Sequence, residues 1–270
     1  MSMVTYRARI VTRRSTQDAL MPLPEFKAVC QCALLLAMLS SLALYTLPCA
    51  SADWSPRTVA LTFALKAFGS TVGETRWRIE QTTAGEWRYT SVTEPSGLYA
   101  LIRSDVVREI SHFSMQGTQI IPRQYRYSRT GGKRDRTVSV AFDWTRNRVE
   151  NTAKGQTWSM AVPAGTQDKL SYLLAVTRDL AKGQRELSYQ VADGGKLKTY
   201  RLQVAGEDTV ETALGDLRAL RVERLNQSKR HTQLWFAPAM AHLPVKVAHR
   251  EKDGSELMLI ITSVSGLDRP

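Results

Sequence analysis

The sequence has three cysteines, Cys30, Cys32 and Cys49, and all fall before residue 50. A chain read from Asp53 onward has none, which excludes a disulfide framework, a thiolate metal site and a cysteine nucleophile together. Histidine is equally scarce. His112, His231, His242 and His249 are the four in 270 residues, and none stands at ligand spacing from another His or a carboxylate, as the histidines of a His-Glu-x-x-His helix do. A Gly-x-Ser-x-Gly elbow is missing, and Pro95-Ser96-Gly97 reads as a turn. Gly-x-Gly-x-x-Gly and Walker loops are missing too, with Asp193-Gly194-Gly195 reading as a hairpin turn. Neither a Pro/Ser-rich linker nor a fixed-period repeat divides the chain. The sequence therefore offers no catalytic, cofactor-binding or metal-binding residue.

What is present begins at the N-terminus. Arg13, Arg14 and Lys27 precede an apolar run from Ala28 to Leu47, followed by the small-residue tripeptide Ala50-Ser51-Ala52. Positive charge, an apolar stretch and small residues in that order make an export signal. The expectation is a signal peptide over residues 1–52, a mature chain from Asp53 to Pro270 and a periplasmic location. The apolar run is also about as long as a minimal membrane span, so an uncleaved anchor is the alternative. Cys49 would suit a lipoprotein, but Leu47-Pro48 ahead of it are not the small residues such a site carries. Met21 is a second candidate initiator, with Lys27 then the only basic side chain before the apolar run.

Removing residues 1–52, with their five basic and two acidic side chains, leaves 32 Lys and Arg against 23 Asp and Glu, about nine positive. Nucleic acid is a poor partner outside the cytoplasm, and no basic run with interleaved aromatics is present. Anionic envelope surfaces, phospholipid head groups or lipopolysaccharide, fit the charge better. The plainer reading is that dispersed arginines on exposed strand faces keep a β-protein soluble and block edge pairing.

Periodicity is that of strands. Val59, Leu61, Phe63, Leu65 and Ala67 alternate with more polar neighbours, Gly69 and Gly73 bracket a reversal, and Thr75, Trp77 and Ile79 alternate with charged residues. Similar segments recur to Val264. Between Thr166 and Gly183 the period changes: Leu170, Leu173, Leu174, Thr177 and Leu180 recur at three- and four-residue spacing. Thr166 or Asp168 is placed as N-cap and Gly183 just past the end. This predicts one amphipathic helix with one face on the sheet. Roughly a dozen antiparallel strands curl rather than stay open, so the expected fold is mainly β, a curved antiparallel sheet or barrel-like half-barrel with one helix, in a single domain.

Glu74, Glu80, Glu94, Asp105 and Glu109 are candidates for a carboxylate pair by number alone, most at positions expected to face solvent. Aromatics are the affirmative hint of binding. Trp54, Trp77, Trp87, Trp144, Trp158 and Trp235, with Tyr89, Tyr125, Tyr127, Tyr189 and Tyr200, lie mainly on strand faces expected to point inward, where they either fill a core or line an apolar cavity. The leading expectation is a non-catalytic envelope β-domain that binds an apolar or amphipathic component, lipid or lipopolysaccharide. The alternatives are an assembly factor that recognises another envelope protein by strand addition, and a cell-wall glycan or ester hydrolase.

Ser96-Gly97-Leu98, the segment Asp168-Lys169-Leu170-Ser171-Tyr172-Leu173-Leu174, and Trp235-Phe236-Ala237-Pro238 followed by Leu243-Pro244-Val245-Lys246-Val247 carry a resemblance. Over most of the mature length the chain resembles an uncharacterised domain-of-unknown-function family, DUF3108-like, of exported Gram-negative envelope proteins. The resemblance implies a β-rich envelope protein and supplies no site residues.

Overall fold

The computed structural model describes residues 54–83, 85–102, 104–132, 134–225, 231–250 and 252–267. The expectations about the signal, the anchor and the cysteines lie outside the described residues. Alternating burial gives the strands: β1 (Val59–Ala67), β2 (Ser70–Thr83), β3 (Glu86–Pro95), β4 (Val106–Gln116), β5 (Gln119–Thr130), β6 (Arg136–Asp143), β7 (Arg148–Ala153), β8 (Gln156–Ala161), β9 (Glu186–Asp193), β10 (Lys196–Thr212), β11 (Gly215–Arg224), β12 (His231–Ala237), β13 (Leu243–Arg250) and β14 (Glu256–Ser265). Two helices join them, α1 (Tyr99–Ile102) after β3 and α2 (Ser171–Ala181) between β8 and β9.

These 14 strands form one antiparallel sheet in which each pairs with its sequence neighbour and β1 also pairs with β14. The ladder is interrupted at one place. β8 and β9 are the two edges of the sheet, and the gap between them is called the seam below. Because the chain meanders, the connections alternate between two rims. The upper rim holds the turns after β1, β3, β5, β7, β9, β11 and β13, and the lower rim holds the others.

Register shows which residues face inward. Val59, Ile79, Tyr89, Ser111, Tyr125, Val140 and Asn151 stand opposite one another across successive strands from β1 to β7. Every one of them is buried. One residue further along, Ala60, Arg78, Thr90, Ile110, Arg126, Ser139 and Thr152 make the outward row. Apolar residues of β1 to β7, β9 to β14 and α2 belong to a single core cluster, so the sheet curls around α2. Closing a sheet on a helix buries more apolar surface than a flat sheet could, and each fully buried Leu or Phe contributes about 1.5–3 kcal/mol.

The helix differs from its expectation in two ways. It begins at Ser171, because Asp168 to Leu170 form a capped turn ahead of it. It is also enclosed, with Ser171, Leu173, Leu174, Ala175, Val176, Thr177, Asp179 and Leu180 all buried. A helix lying inside a curl has sheet on several sides, so no broad solvent face is left. Its end is as expected: Gly183 adopts φ 80°, its N–H donates to Leu180 O at 2.9 Å and Gln184 N–H to Asp179 O at 3.0 Å, which satisfies carbonyls the last turn would leave open.

Gly73 is another correction. The reversal after β1 is made by Phe68 and Gly69, while Gly73 lies within β2, where a Cβ would strike the Glu94 carbonyl. Its role is close strand approach.

Candidate functional site

Inward polar groups collect near the seam, and α2 is what holds the two sides together there. The Asp168 Oδ1 accepts the Leu170 and Ser171 N–H groups at 2.8 and 2.9 Å. Ser111 Oγ of β4 donates to Asp168 Oδ2 at 2.6 Å, and Ser171 Oγ accepts the Asp168 N–H at 2.9 Å. Burial pushes the Asp168 carboxyl above the usual carboxylate range, and the Ser111 hydroxyl and the two backbone donors pull against that rise. The residue before it bridges to the far edge: Gln167 N–H donates to Gln190 O at 2.8 Å and Ala192 N–H to Gln167 O at 2.9 Å. Further along α2, Asp179 accepts the Tyr189 hydroxyl of β9 at 2.8 Å, and Arg178 donates to Thr118 O in the β4 to β5 turn at 3.2 Å.

Lys169, next to the cap, sits between two carboxylates. Its Nζ is 3.6 Å from Glu109 Oε1 and 6.0 Å from the Tyr127 ring centre. The Tyr125 hydroxyl donates to the same Glu109 oxygen. On the β9 side, Asp193 accepts from Lys198 Nζ at 2.6 Å and from the Tyr200 hydroxyl at 2.9 Å. Burial pushes the Asp193 carboxyl up, but Lys198, Tyr200 and Lys169 together hold it below its ordinary value. Arg224 lies 3.3 Å over the Tyr200 ring, and Tyr172 of α2 meets that ring edge-on at 5.2 Å. Burial pushes the Tyr172 phenol up to about 12.

Trp158 of β8 spans the seam itself. Its Nε1 donates to Gly195 O in the β9 to β10 turn at 3.3 Å. Gly195 has φ 74°, and a Cβ there would land on the Trp158 ring, so glycine is required twice over. Directly opposite Trp158 on β7 is Asn151. It is 0% exposed, yet neither its Oδ1 nor its Nδ2 has a partner among the described residues. A buried amide left unpaired costs about 1–3 kcal/mol, so a water or a ligand group is called for.

Of the five carboxylates named as candidates, only Glu109 faces this site. Glu74 and Glu94 both pair with Arg76 at 2.5 Å on the outer face, Glu80 pairs with Arg88 at 2.6 Å, and Asp105 pairs with Arg129. Most of the five were expected to face solvent, and Glu109 is the exception, standing between Ser91 and Tyr127 in an inward row. The aromatics are mostly core. Phe63 and Trp77 lie 4.6 Å apart and Trp77 and Tyr89 5.9 Å apart, centre to centre, and all three are buried. Trp235 is covered by Lys246, whose Nζ is 4.4 Å from the ring, and Trp144 hands its indole N–H to Pro122 O at 2.7 Å. The partner residues Lys169, Asp193 and Asn151 were not legible as a site, because their meeting depends on the curl.

The histidines stay apart from the seam cluster. His249 Nδ1 lies 2.9 Å from Thr232 Oγ1, a directly opposed cross-strand pair. His231 and Thr232 line a depression of about 280 Å³ with Glu223, Arg250 and Glu256. Burial lowers both His112 and His242. Among the described residues no group of three His, Cys, Asp or Glu converges as a metal set.

With 14 antiparallel strands, one seam and one enclosed helix established, the relatives can be placed. The chain belongs to the family described as protein of unknown function (DUF3108), whose sequence model matches residues 58–262. No curated protein matches it. The chain is similar to a solved beta-barrel-like protein of the domain of unknown function DUF1849 from Brucella abortus, with TM-score 0.52 and 8% identity over 78% of this chain and 98% of that one. At that identity the likeness concerns the fold alone. The DUF3108 match runs from the start of β1 into β14, and so takes in both sides of the seam.

Proposed function

We propose that this DUF3108 protein is a non-catalytic, periplasmic binding domain that takes the polar part of an amphipathic envelope component at the seam. The observation that carries this is Asn151, a fully buried amide without a partner among the described residues, opposite the half-exposed Trp158, whose indole reaches across to the β9 to β10 turn. Packed aromatics confine the contact to the seam, since Trp77 and Tyr89 have each other as neighbours and no face to spare. Hydrolysis is disfavoured. A glycosidase needs two carboxyls free to face the scissile bond, whereas Asp193 already accepts from Lys198 and Tyr200, Glu109 accepts from Tyr125 beside Lys169, and Asp168 accepts from Ser111 and two backbone N–H groups.

Native mass spectrometry of the protein purified from its own envelope tests the reading. A co-purifying amphiphile that is lost on Trp158→Ala is expected. Finding none, with no protection from added phospholipid or lipopolysaccharide, overturns it.

A second reading, strand addition by a partner polypeptide, is favoured by one observation. The outward backbone groups of β8 at Thr157, Ser159 and Ala161 face the open edge, because its even-numbered residues bond β7. Slowed amide exchange at these three residues on adding an envelope extract, without a bound amphiphile, would favour it.

A further inference from the structure

We infer that the upper rim is a docking surface for an anionic lipid bilayer. The inference goes beyond the seam reading and uses other residues. Among the described residues the exposed large apolar side chains are Phe68, Leu98, Leu101, Trp158, Leu197, Leu225 and Leu257. Topology puts six of them in or next to upper-rim connections, and the seventh, Trp158, reaches to the upper turn at Gly195. Chance would scatter them over both rims, as single exposed apolar residues usually are.

Phe68 carries the argument furthest. The two-residue turn between β1 and β2 has φ 51° at Phe68 and 75° at Gly69, the conformation that Asn-Gly or Gly-Gly adopts with least strain. A bulky aromatic in left-handed backbone is disfavoured. Here it gains no packing in return, being 83% exposed. Leu98 and Leu101, at 82% and 83% exposure, stand on the α1 turn after β3, and Ser96 N–H donates to Val72 O at 3.1 Å, which ties that turn to β2 beside the Phe68 loop.

Charge matches the apolar tips. Arg134, Arg136, Lys154, Lys196 and Lys252 are exposed at the same rim against Asp135 and Asp253, while Lys198 and Arg250 there are paired with Asp193 and Glu256. Apolar side chains that reach the acyl boundary, ringed by cations that meet anionic head groups, are the elements of interfacial binding. Docked this way, the upper end of the seam opens toward the lipid.

Amide exchange of the full-length protein, followed by mass spectrometry with and without vesicles, tests this independently of residues 1–52. Vesicles of phosphatidylglycerol and phosphatidylcholine should slow exchange at 66–70 and 97–101 and leave the lower turns at 117–118, 144–147 and 213–214 unchanged. Pure phosphatidylcholine should give much less, and high salt should weaken the effect. Phe68→Asp with Leu101→Asp should reduce the vesicle affinity of that protection by about tenfold or more. Both positions are solvent-exposed, so folding survives and a melt confirms it. Protection absent, equal at both rims, indifferent to lipid charge or unchanged in the double variant overturns the proposal. A seam amphiphile that persists in the double variant leaves the binding reading standing while the rim proposal fails.

Discussion

The two edges of the sheet, β8 and β9, are treated in opposite ways by the same chain. On β9 the odd-numbered residues bond β10, so Ser188, Gln190 and Ala192 face the seam. Gln167 then occupies Gln190 O and Ala192 N–H with its own backbone, and Asp179 of α2 fixes Tyr189 behind them. On β8, the backbone groups of Thr157, Ser159 and Ala161 face the seam, and the strand Gln156–Ala161 carries neither a charge nor a proline. Unprotected edges are a liability that proteins usually blunt with lysine, proline or a cover. The contrast teaches that this sheet is held in its curl by the segment from Val162 to Arg185, crossing from β8 to β9, and that β8 is left available.

The largest expected effect comes from breaking the cap that anchors this crossing. Asp168→Ala leaves the Ser111 hydroxyl and two backbone N–H groups without their acceptor, each worth about 1–3 kcal/mol when buried. A loss of about 3–5 kcal/mol by urea unfolding is expected, with Asp168→Asn falling in between. A loss below about 1 kcal/mol would mean that the cap does not hold β4 to the crossing.

Next in size are Leu173→Ala and Leu174→Ala. Leu173 is 7% and Leu174 3% exposed on the enclosed helix, so each truncation should cost about 2–5 kcal/mol, the larger where the curl cannot close on the cavity. Near-neutral melts for both would mean that α2 is a passenger and that the ladder alone keeps the sheet curled.

Gly195→Ala should cost about 1–2 kcal/mol through its positive φ and its clash with Trp158. The double variant with Trp158→Ala should recover the steric part, giving a non-additive cycle measured by thermal melts. Strict additivity would separate the indole from the turn and remove the Trp158 bridge across the seam.

Legibility followed range along the chain. Alternation in Val59 to Ala67 and the switch to a three- and four-residue period after Thr166 are local signals; β1 is where it was expected, and α2 lies within the expected stretch with a later start. Register is not local. Glu109 and Arg108 differ in the sequence only by one step, yet that step decides which one enters the site, and the strand alone does not say which face will be covered. Enclosure of α2 was likewise hidden, because Arg178 and Asp179 read as a polar face until the β4 to β5 turn and Tyr189 of β9 supply their partners. The orphaned Asn151 reads as one more polar residue of a short strand; only its partner row, from Val59 to Trp158, shows it to be inside.

The smallest energetic effect is the sharpest test of the two edges. Ala161→Lys on β8 and Ser188→Lys on β9 both place a charge at an exposed seam-facing position, and each should change stability by no more than about 0.5 kcal/mol. Their consequences for association should differ. A lysine on β8 should abolish any pairing at that edge, seen as unchanged amide exchange at Thr157 and Ser159 when the envelope extract is added. A lysine on β9 should leave association as it was, since Gln167 already takes the adjacent groups. In the unmodified protein, the Ala192 amide, bonded to Gln167 O at 2.9 Å, should exchange far more slowly than the Ser159 amide. Equal protection at Ala192 and Ser159 in the isolated protein would mean that β8 is covered as well as β9, and the asymmetry between the edges would be lost.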